Sequence, residues 1–271
     1  MKALKASFLS LSAMMALTMM SCDPMPVAPE LTASGLNPAK FDTVVNGDTV
    51  KLYTLKGDKG MEVCITNYGG RVVSLMVPDK NDSLVDVVLG FDNIAQYMEK
   101  TTDYGSSVGR YANRINMGSF TLNDSTYQLK QNDKHDGRDH CLHGGGDTGW
   151  MNQVYKAEQI DDQTLKLTIV AQDGENGFPG TVTAITTYKI VNGNTLDITW
   201  EAETDKPARF EVITGVGVVK TVKKATGVKW TMEGVYSSSA PRNKAHVFAR
   251  IKAYALDDSG EELFSQPYML V

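Results

Sequence analysis

The stretch Thr164–Ala202, TLKLTIVAQDGENGFPGTVTAITTYKIVNGNTLDITWEA, decides the fold class. Its runs Thr164 to Ala171, Thr181 to Val191 and Thr195 to Ala202 are rich in valine, isoleucine, threonine and tyrosine. Branched and aromatic side chains of this kind fit a pleated surface. Between the runs lie Asp173-Gly174-Glu175-Asn176-Gly177 and Asn192-Gly193-Asn194, residues that suit chain reversal.

The same alternation of strand and turn extends outward in both directions. Val50 to Leu55 follows the turn signal Asn46-Gly47-Asp48, and in Met61 to Asn67 the residues Met61, Val63 and Ile65 alternate with Glu62, Cys64 and Thr66. That period predicts one face toward the core and one toward solvent. Gly69-Gly70 breaks the run, Arg71 to Val77 resumes it, Pro78-Asp79 ends it, and Asp86 to Leu89 supplies another strand. Gly118 to Leu122 and Tyr127 to Leu129 read as a hairpin around Asn123-Asp124-Ser125, and Gln153 to Gln159 as a further strand. One short helix is predicted over Asn93 to Lys100, with Ile94, Tyr97 and Met98 on one side. Strands joined by tight turns, without amphipathic helices between them, exclude a doubly wound α/β fold and predict an all-β, antiparallel β-sandwich. Beyond Pro207, Phe210 to Ile213, Val216 to Val222, Val228 to Met232 and Val247 to Ala255 are also strand-like.

The chain has 271 residues, of which 42% are hydrophobic and 22% charged, enough apolar material for a sizeable core. Its formal charge is −5, or −7 without Lys2 and Lys5, which argues against a nucleic-acid partner and favours a neutral one. At the N-terminus, MKALKASFLSLSAMMALTMMSC places two lysines before an uncharged run, Phe8 to Met20, that is too short to span a bilayer. The expectation is a signal peptide over residues 1–21 of the lipoprotein kind, with Cys22 lipidated, and export to a membrane-anchored position at the periplasm or cell surface. Residues 22–42, containing Pro24, Pro26, Pro29 and Pro38, then read as a tether. Cys64 and Cys141 remain, and are expected as free thiols rather than a pair.

Chemistry concentrates between Gly105 and Trp150, which holds three of the four histidines. Arg110 and Arg114 flank Tyr111 and Asn113, and His143 precedes Gly144-Gly145-Gly146, Asp147 and Trp150. An Asn-Arg pair offers planar, multi-donor hydrogen bonding, a histidine exchanges protons near neutral pH, and an aromatic face covers sugar C–H groups. This is the composition of a site for a small, hydroxyl-rich ligand. Trp150 can stack on such a ligand or fill the core, and Arg110 and Tyr111 are expected to brace the backbone. His135, His140 and His143, with Asp133, Asp136, Asp139 and Cys141, carry metal-ligating atoms, but the spacing is not that of ligands on one helix face, so no metal is assigned. The glycine run lacks a following Gly-Lys-Ser/Thr, so it is not a phosphate loop.

Three motifs, VGRYANRINMGSF from Val108 to Phe120, LHGG from Leu142 to Gly145 and DGENGFPG from Asp173 to Gly180, resemble the aldose 1-epimerase (galactose mutarotase) family in identity, order and spacing. Asn67-Tyr68-Gly69-Gly70 matches an early signature of that family. The resemblance covers roughly Thr43 to Pro207. It implies a galactose mutarotase-like supersandwich over residues 43–207, present here in incomplete form, and interconversion of the α and β anomers of an aldose such as galactose or glucose, with no cofactor. It further implies that Asn113 and Arg114 bind sugar hydroxyls and that His143 is the catalytic-site histidine.

After Pro207 the pattern departs from the family. The family follows the run equivalent to Ala202–Pro207 with an Asn-His-x-Tyr-Phe-Asn-Leu segment bearing its acid histidine. Here Ala208-Arg209-Phe210-Glu211-Val212-Ile213-Thr214-Gly215 follows, without a histidine. The family's later aspartate and its C-terminal glutamate base are not found in their motifs either. Residues 208–271 form a divergent β-rich segment whose end weakly resembles a small β module of unrelated secreted hydrolases, as a fused gene would give. Non-catalytic carbohydrate binding, or a truncated or fused product without activity, is therefore the alternative expectation to catalysis.

Overall fold

The main core lies between two antiparallel sheets. The computed structural model describes residues 30–99, 102–122, 124–214, 217–232, 248–254 and 262–269. One sheet has four strands in chain order, Leu52–Lys56, Glu62–Thr66, Arg71–Pro78 and Leu84–Asp86. The other has seven, running Lys156–Asp161, Thr164–Ala171, Val182–Val191, Thr195–Thr214, Phe248–Tyr254 and Glu262–Met269, with Gly217–Met232 also paired to Thr195–Thr214. Leu55, Val63 and Ile65 from the first sheet meet Leu165, Leu167, Val182, Tyr188 and Trp200 from the second. Along Thr164–Ala171 and Val182–Val191 alternate side chains are buried, as a strand's two-residue period requires when one face meets a core. Each aliphatic side chain buried this way contributes about 1.5–3 kcal/mol. The architecture is all-β and antiparallel.

Several boundaries differ from the sequence reading, each for a local reason. Every residue of Glu62–Thr66 is buried, where one solvent face was expected. A second cluster, Leu36, Phe41, Val50, Cys64, Tyr68, Val73, Ile94 and Tyr97, covers the other face. The described part of the expected tether therefore packs: Pro38–Phe41 forms a 3-10 turn, capped by the Asn37 side chain accepting the Ala39 N–H, and Phe41 is wholly buried. The Glu62 carboxylate accepts the Ala33 N–H at 2.6 Å, fastening the same segment. Cys22 and residues 1–21 lie outside the described residues.

The helix spans Ile94–Glu99 and buries Ile94 and Tyr97, but Met98 is exposed rather than sharing their face. The strand expected at Asp86 to Leu89 is instead Leu84–Asp86, because Asp86 Oδ1 accepts the N–H groups of Leu75 and Val88 and turns the chain away. The strand expected from Gln153 begins at Lys156. Before it, Gln153 and Tyr155 bond Gly69 and Asn67 of the bend after Glu62–Thr66. In the last part of the chain the expected pieces merge. Thr195–Thr214 runs through Pro207 without a break and absorbs Phe210 to Ile213, while the described part of Val216 to Val222, from Gly217 on, and Val228 to Met232 lie in the single strand Gly217–Met232. Pairing between these long strands slips at Glu203/Ala208 and Ala208/Phe210, around a proline that has no N–H to give the ladder.

Cys64 and Cys141 are buried and unbridged, and burial pushes both thiols up to about 11, which keeps them protonated.

Candidate active site

The site begins with a short strand pairing. Arg114–Ile115 pairs antiparallel with the end of Arg138–Leu142, so Leu142 lies opposite Arg114, and Asn113 and His143 are the next residues on either side. They interlock: the His143 N–H donates to Asn113 O at 3.2 Å, and the Asn113 N–H donates to His143 Nδ1 at 3.0 Å. Both residues have left-handed backbone, with φ of 67° at Asn113 and 51° at His143, a region where asparagine and histidine are enriched among non-glycine residues. Because Nδ1 accepts a backbone proton, the neutral ring carries its own hydrogen on Nε2. That Nε2 stands 3.3 Å from Asp103 Oδ2, and the His143 side chain is 24% exposed. Burial pushes the imidazole below its ordinary value. Asp103 and Asp133 oppose that shift and Arg114 reinforces it.

Arg114 extends from the same strand into the open. Its Nε donates to Asp133 Oδ2 at 2.6 Å and its Nη2 to Oδ1 at 3.3 Å, a two-pronged pairing. The guanidinium holds the Asp133 carboxyl below its usual range. The Asn113 side chain is exposed, and its Oδ1 accepts the Arg114 N–H at 2.9 Å. Asn113, Arg114 and His143 are thus brought together, with Asp103 and Asp133 beside them.

Beneath this patch the loops are fixed by close backbone approach. A Cβ on Gly144, where φ is +81°, would stand 2.0 Å from the carbonyl oxygen of Gly109. A Cβ on Gly109 would stand 2.1 Å from the Trp150 ring. Only glycine allows this stacking. Trp150 is 1% exposed and belongs to the main core, so it packs rather than offering a face to a sugar. Asn176, from the DGENGFPG motif, donates through Nδ2 to the carbonyls of Gly144 (3.0 Å) and Thr148 (3.1 Å) and also bonds the Thr148 hydroxyl. Arg110 donates to the carbonyls of Pro179 and Gly180 and lies over the Phe178 ring, the bracing role expected of it. Tyr111 packs on the small cluster of Leu129, Cys141 and Phe178.

The other two histidines between Gly105 and Trp150 point elsewhere. His140 is buried, its Nδ1 accepting the Met117 N–H and its Nε2 facing His135 O at 3.1 Å, so both ring nitrogens serve the backbone. His135 is exposed beside Asp136.

Sequence reading missed three contributors. Asp103 has no motif around it, and Asn176 is legible only as an asparagine between glycines with a left-handed backbone, φ 54°. Arg71 reads as the start of a strand, yet it is 1% exposed and donates to the carbonyls of Thr102 (2.8 Å), Tyr104 (3.2 Å) and Met151 (2.9 Å). Nothing in local periodicity announces a buried cation.

The antiparallel β-sandwich thus gathers arginine, histidine, asparagine and carboxylates from its loops in one open patch. Residues 51–215 match the family described as aldose 1-epimerase, and the chain belongs to that family. The match ends a few residues beyond Pro207. An aldose 1-epimerase of Escherichia coli is 29% identical over 162 residues, covering 60% of this chain and 45% of that protein. A galactose mutarotase of Mus musculus is 34% identical over 157 residues, covering 58% and 44%. The chain therefore spans less than half the length of these relatives. Among solved structures, an aldose epimerase homologue from C. elegans superposes with a TM-score of 0.54 at 16% identity, covering 80% of this chain and 88% of that one. A galactose 1-epimerase from Lactobacillus acidophilus gives 0.51 at 19% identity, covering 80% and 74%. These two likenesses speak to the fold.

Proposed function

We propose that this protein binds an aldose such as galactose or glucose and interconverts its α and β anomers by opening the ring. The observation that carries the reading is the interlock of Asn113 with His143, which fixes an Nε2–H donor beside Arg114 and Asp103. In mutarotation a base takes the C1 hydroxyl proton while the ring oxygen gains one, the C1–O bond opens to an aldehyde, and C1 rotates before the ring recloses. His143 Nε2–H is the donor that polarises an oxygen at the anomeric centre. Arg114 and Asn113 hold neighbouring hydroxyls through planar, directional hydrogen bonds. The relatives named as aldose 1-epimerase and galactose mutarotase support an aldose as the ligand class.

A second reading, sugar binding without ring opening, is favoured by one specific feature. Ala208 to Gly215 contains no histidine where the resembling family places its acid. Anomer exchange of freshly dissolved α-galactose, followed by NMR with and without protein, decides between the two. Catalysis predicts a rate above buffer that His143→Ala lowers by ~10²–10⁴. Equal rates for protein, variant and buffer, together with sugar-dependent chemical shifts in the protein, would leave binding alone.

The same proposal places the chain outside the cytoplasm, tethered to a membrane through Cys22, on the strength of the leader sequence. Cells fed labelled palmitate should label the wild-type chain and leave Cys22→Ala unlabelled. Equal labelling of both would sink the tether.

A further inference from the structure

Asp103 is exposed enough to meet a ligand, yet its backbone is among the most firmly held in the site. Arg71 donates to the carbonyls on both sides of it, at Thr102 and Tyr104, from a buried guanidinium. Asp103's own carbonyl accepts the Ser106 N–H at 3.0 Å and the Ser106 hydroxyl at 2.9 Å. Two residues on, Gly105 O accepts the Val72 N–H at 3.0 Å, tying the loop to the edge of the strand Arg71–Pro78. Arg71 also holds Met151 O at 2.9 Å, just beyond Trp150, so one side chain fixes the Asp103 loop relative to the segment that follows His143. A carboxylate steadied in this way is placed rather than incidental.

Its neighbour is placed as firmly. The Asn113 N–H occupies His143 Nδ1, so Nε2 carries the hydrogen and faces Asp103 Oδ2 at 3.3 Å. The Asp103 and His143 side chains are 43% and 24% exposed, so both present atoms to the outside. A 3.3 Å separation between a donor and an acceptor is somewhat long for an optimal direct bond. It is compatible with one oxygen bonded to both at about 2.8 Å. A sugar hydroxyl is that kind of oxygen, since it donates one hydrogen and accepts through its lone pairs.

We infer that Asp103 is a ligand-binding residue, forming with His143 a donor–acceptor pair that grips a single sugar hydroxyl: the hydroxyl donates to the Asp103 carboxylate and accepts from His143 Nε2–H. The inference rests on the sugar-binding reading above and adds a residue that no motif assigns. Arg114 and Asp133, the other charged groups facing His143, are already paired with each other through two hydrogen bonds. The pair also sets a chemical preference, because an ether oxygen or a methyl in place of that hydroxyl cannot satisfy the carboxylate.

The test titrates galactose and glucose into the full chain and into Asp103→Ala, with binding read from protein chemical shifts. The His143 ring nitrogens are followed in the same samples. The expected result is affinity weakened about tenfold or more, the effect of losing a hydrogen bond to a charged group. His143 should keep its Nε2–H tautomer, because Asn113 still donates to Nδ1. Binding by the wild type with an unchanged affinity in Asp103→Ala overturns this inference alone. No binding by the wild type overturns it together with the sugar-binding reading. Weakened binding accompanied by a changed His143 tautomer, or by shifts spread through Leu142 to Gly146, assigns Asp103 a structural role and also overturns the inference.

Discussion

Arg71 and Arg114 are the same side chain used in opposite ways, and the two regions they anchor divide the labour of the site. Arg71 sits beneath it, buried against the rings of Tyr68 and Tyr97, with three backbone carbonyls as hydrogen-bond partners. Burial lowers its pKa, partly offset by neighbouring tyrosines and Asp103, yet guanidinium is basic enough to stay charged. Arg114 lies at the surface with a carboxylate partner, Asp133. A buried cation bonded to backbone carbonyls fixes geometry, because removing it strands acceptors away from water. An exposed ion pair contributes little to folding and stays available for recognition.

The largest expected effect separates the two directly. Arg71→Met should destabilise the fold by roughly 3 kcal/mol or more, because three backbone carbonyls lose their charged donor at about 1–3 kcal/mol each. Arg114→Ala should leave the urea midpoint close to wild type while abolishing sugar-induced shifts. Parallel urea unfolding and sugar titration of the two variants checks both halves, and equal midpoints would erase the distinction. Next in size is Gly144→Ala. Its added Cβ would press on the Gly109 carbonyl from a left-handed backbone, a cost of about 1–3 kcal/mol from strain and overpacking. Because the contacted backbone at Gly109 and Arg110 leads into Asn113 and Arg114, sugar binding should weaken as well. A fully stable, fully binding variant would show that the His143 loop has room to relax.

The smallest effect is a pH dependence. Burial, reinforced by Arg114 and opposed by Asp103 and Asp133, holds His143 below its ordinary value of 6.5, so the unfolded chain binds that proton more readily than the folded one. The corresponding stability is fully present above that ordinary value and is lost as pH falls through the depressed folded value. Unfolding midpoints should therefore drop modestly below neutrality, and His143→Gln should flatten that part of the curve. An identical slope in the variant would assign the drop to other groups.

Much of the front part was legible from residue type. Thr164 to Ala171 was bounded correctly because no glycine, proline, asparagine or aspartate interrupts the run between Gln163 and the Asp173–Gly177 turn, and its partner strand ends where Asn192-Gly193-Asn194 reverses the chain. Failures fall where a distant partner overrides local pattern. The strand Glu62–Thr66 shows an alternating sequence, but Phe41 and Tyr97 arrive from other segments to cover its second face. Trp150 looked equally suited to stacking and to packing until Gly109 closed on its ring.

The site divides along the same line. The motifs VGRYANRINMGSF and LHGG brought Asn113, Arg114 and His143 forward through their resemblance to the family. The roles of Asp103 and Asn176 were not legible, for the converse reason. Asp103 reaches His143 only after Arg71 pins its loop, and Asn176 locks Gly144 across more than thirty positions of chain. By itself, the sequence determined the all-β class and several turns, which follow from side-chain chemistry and short-range spacing, while its motifs marked the family. Tertiary structure alone decided which carboxylate faces the imidazole and which ring nitrogen carries its proton. Both depend on contacts between loops that hydrogen bonds to distant backbone hold in place.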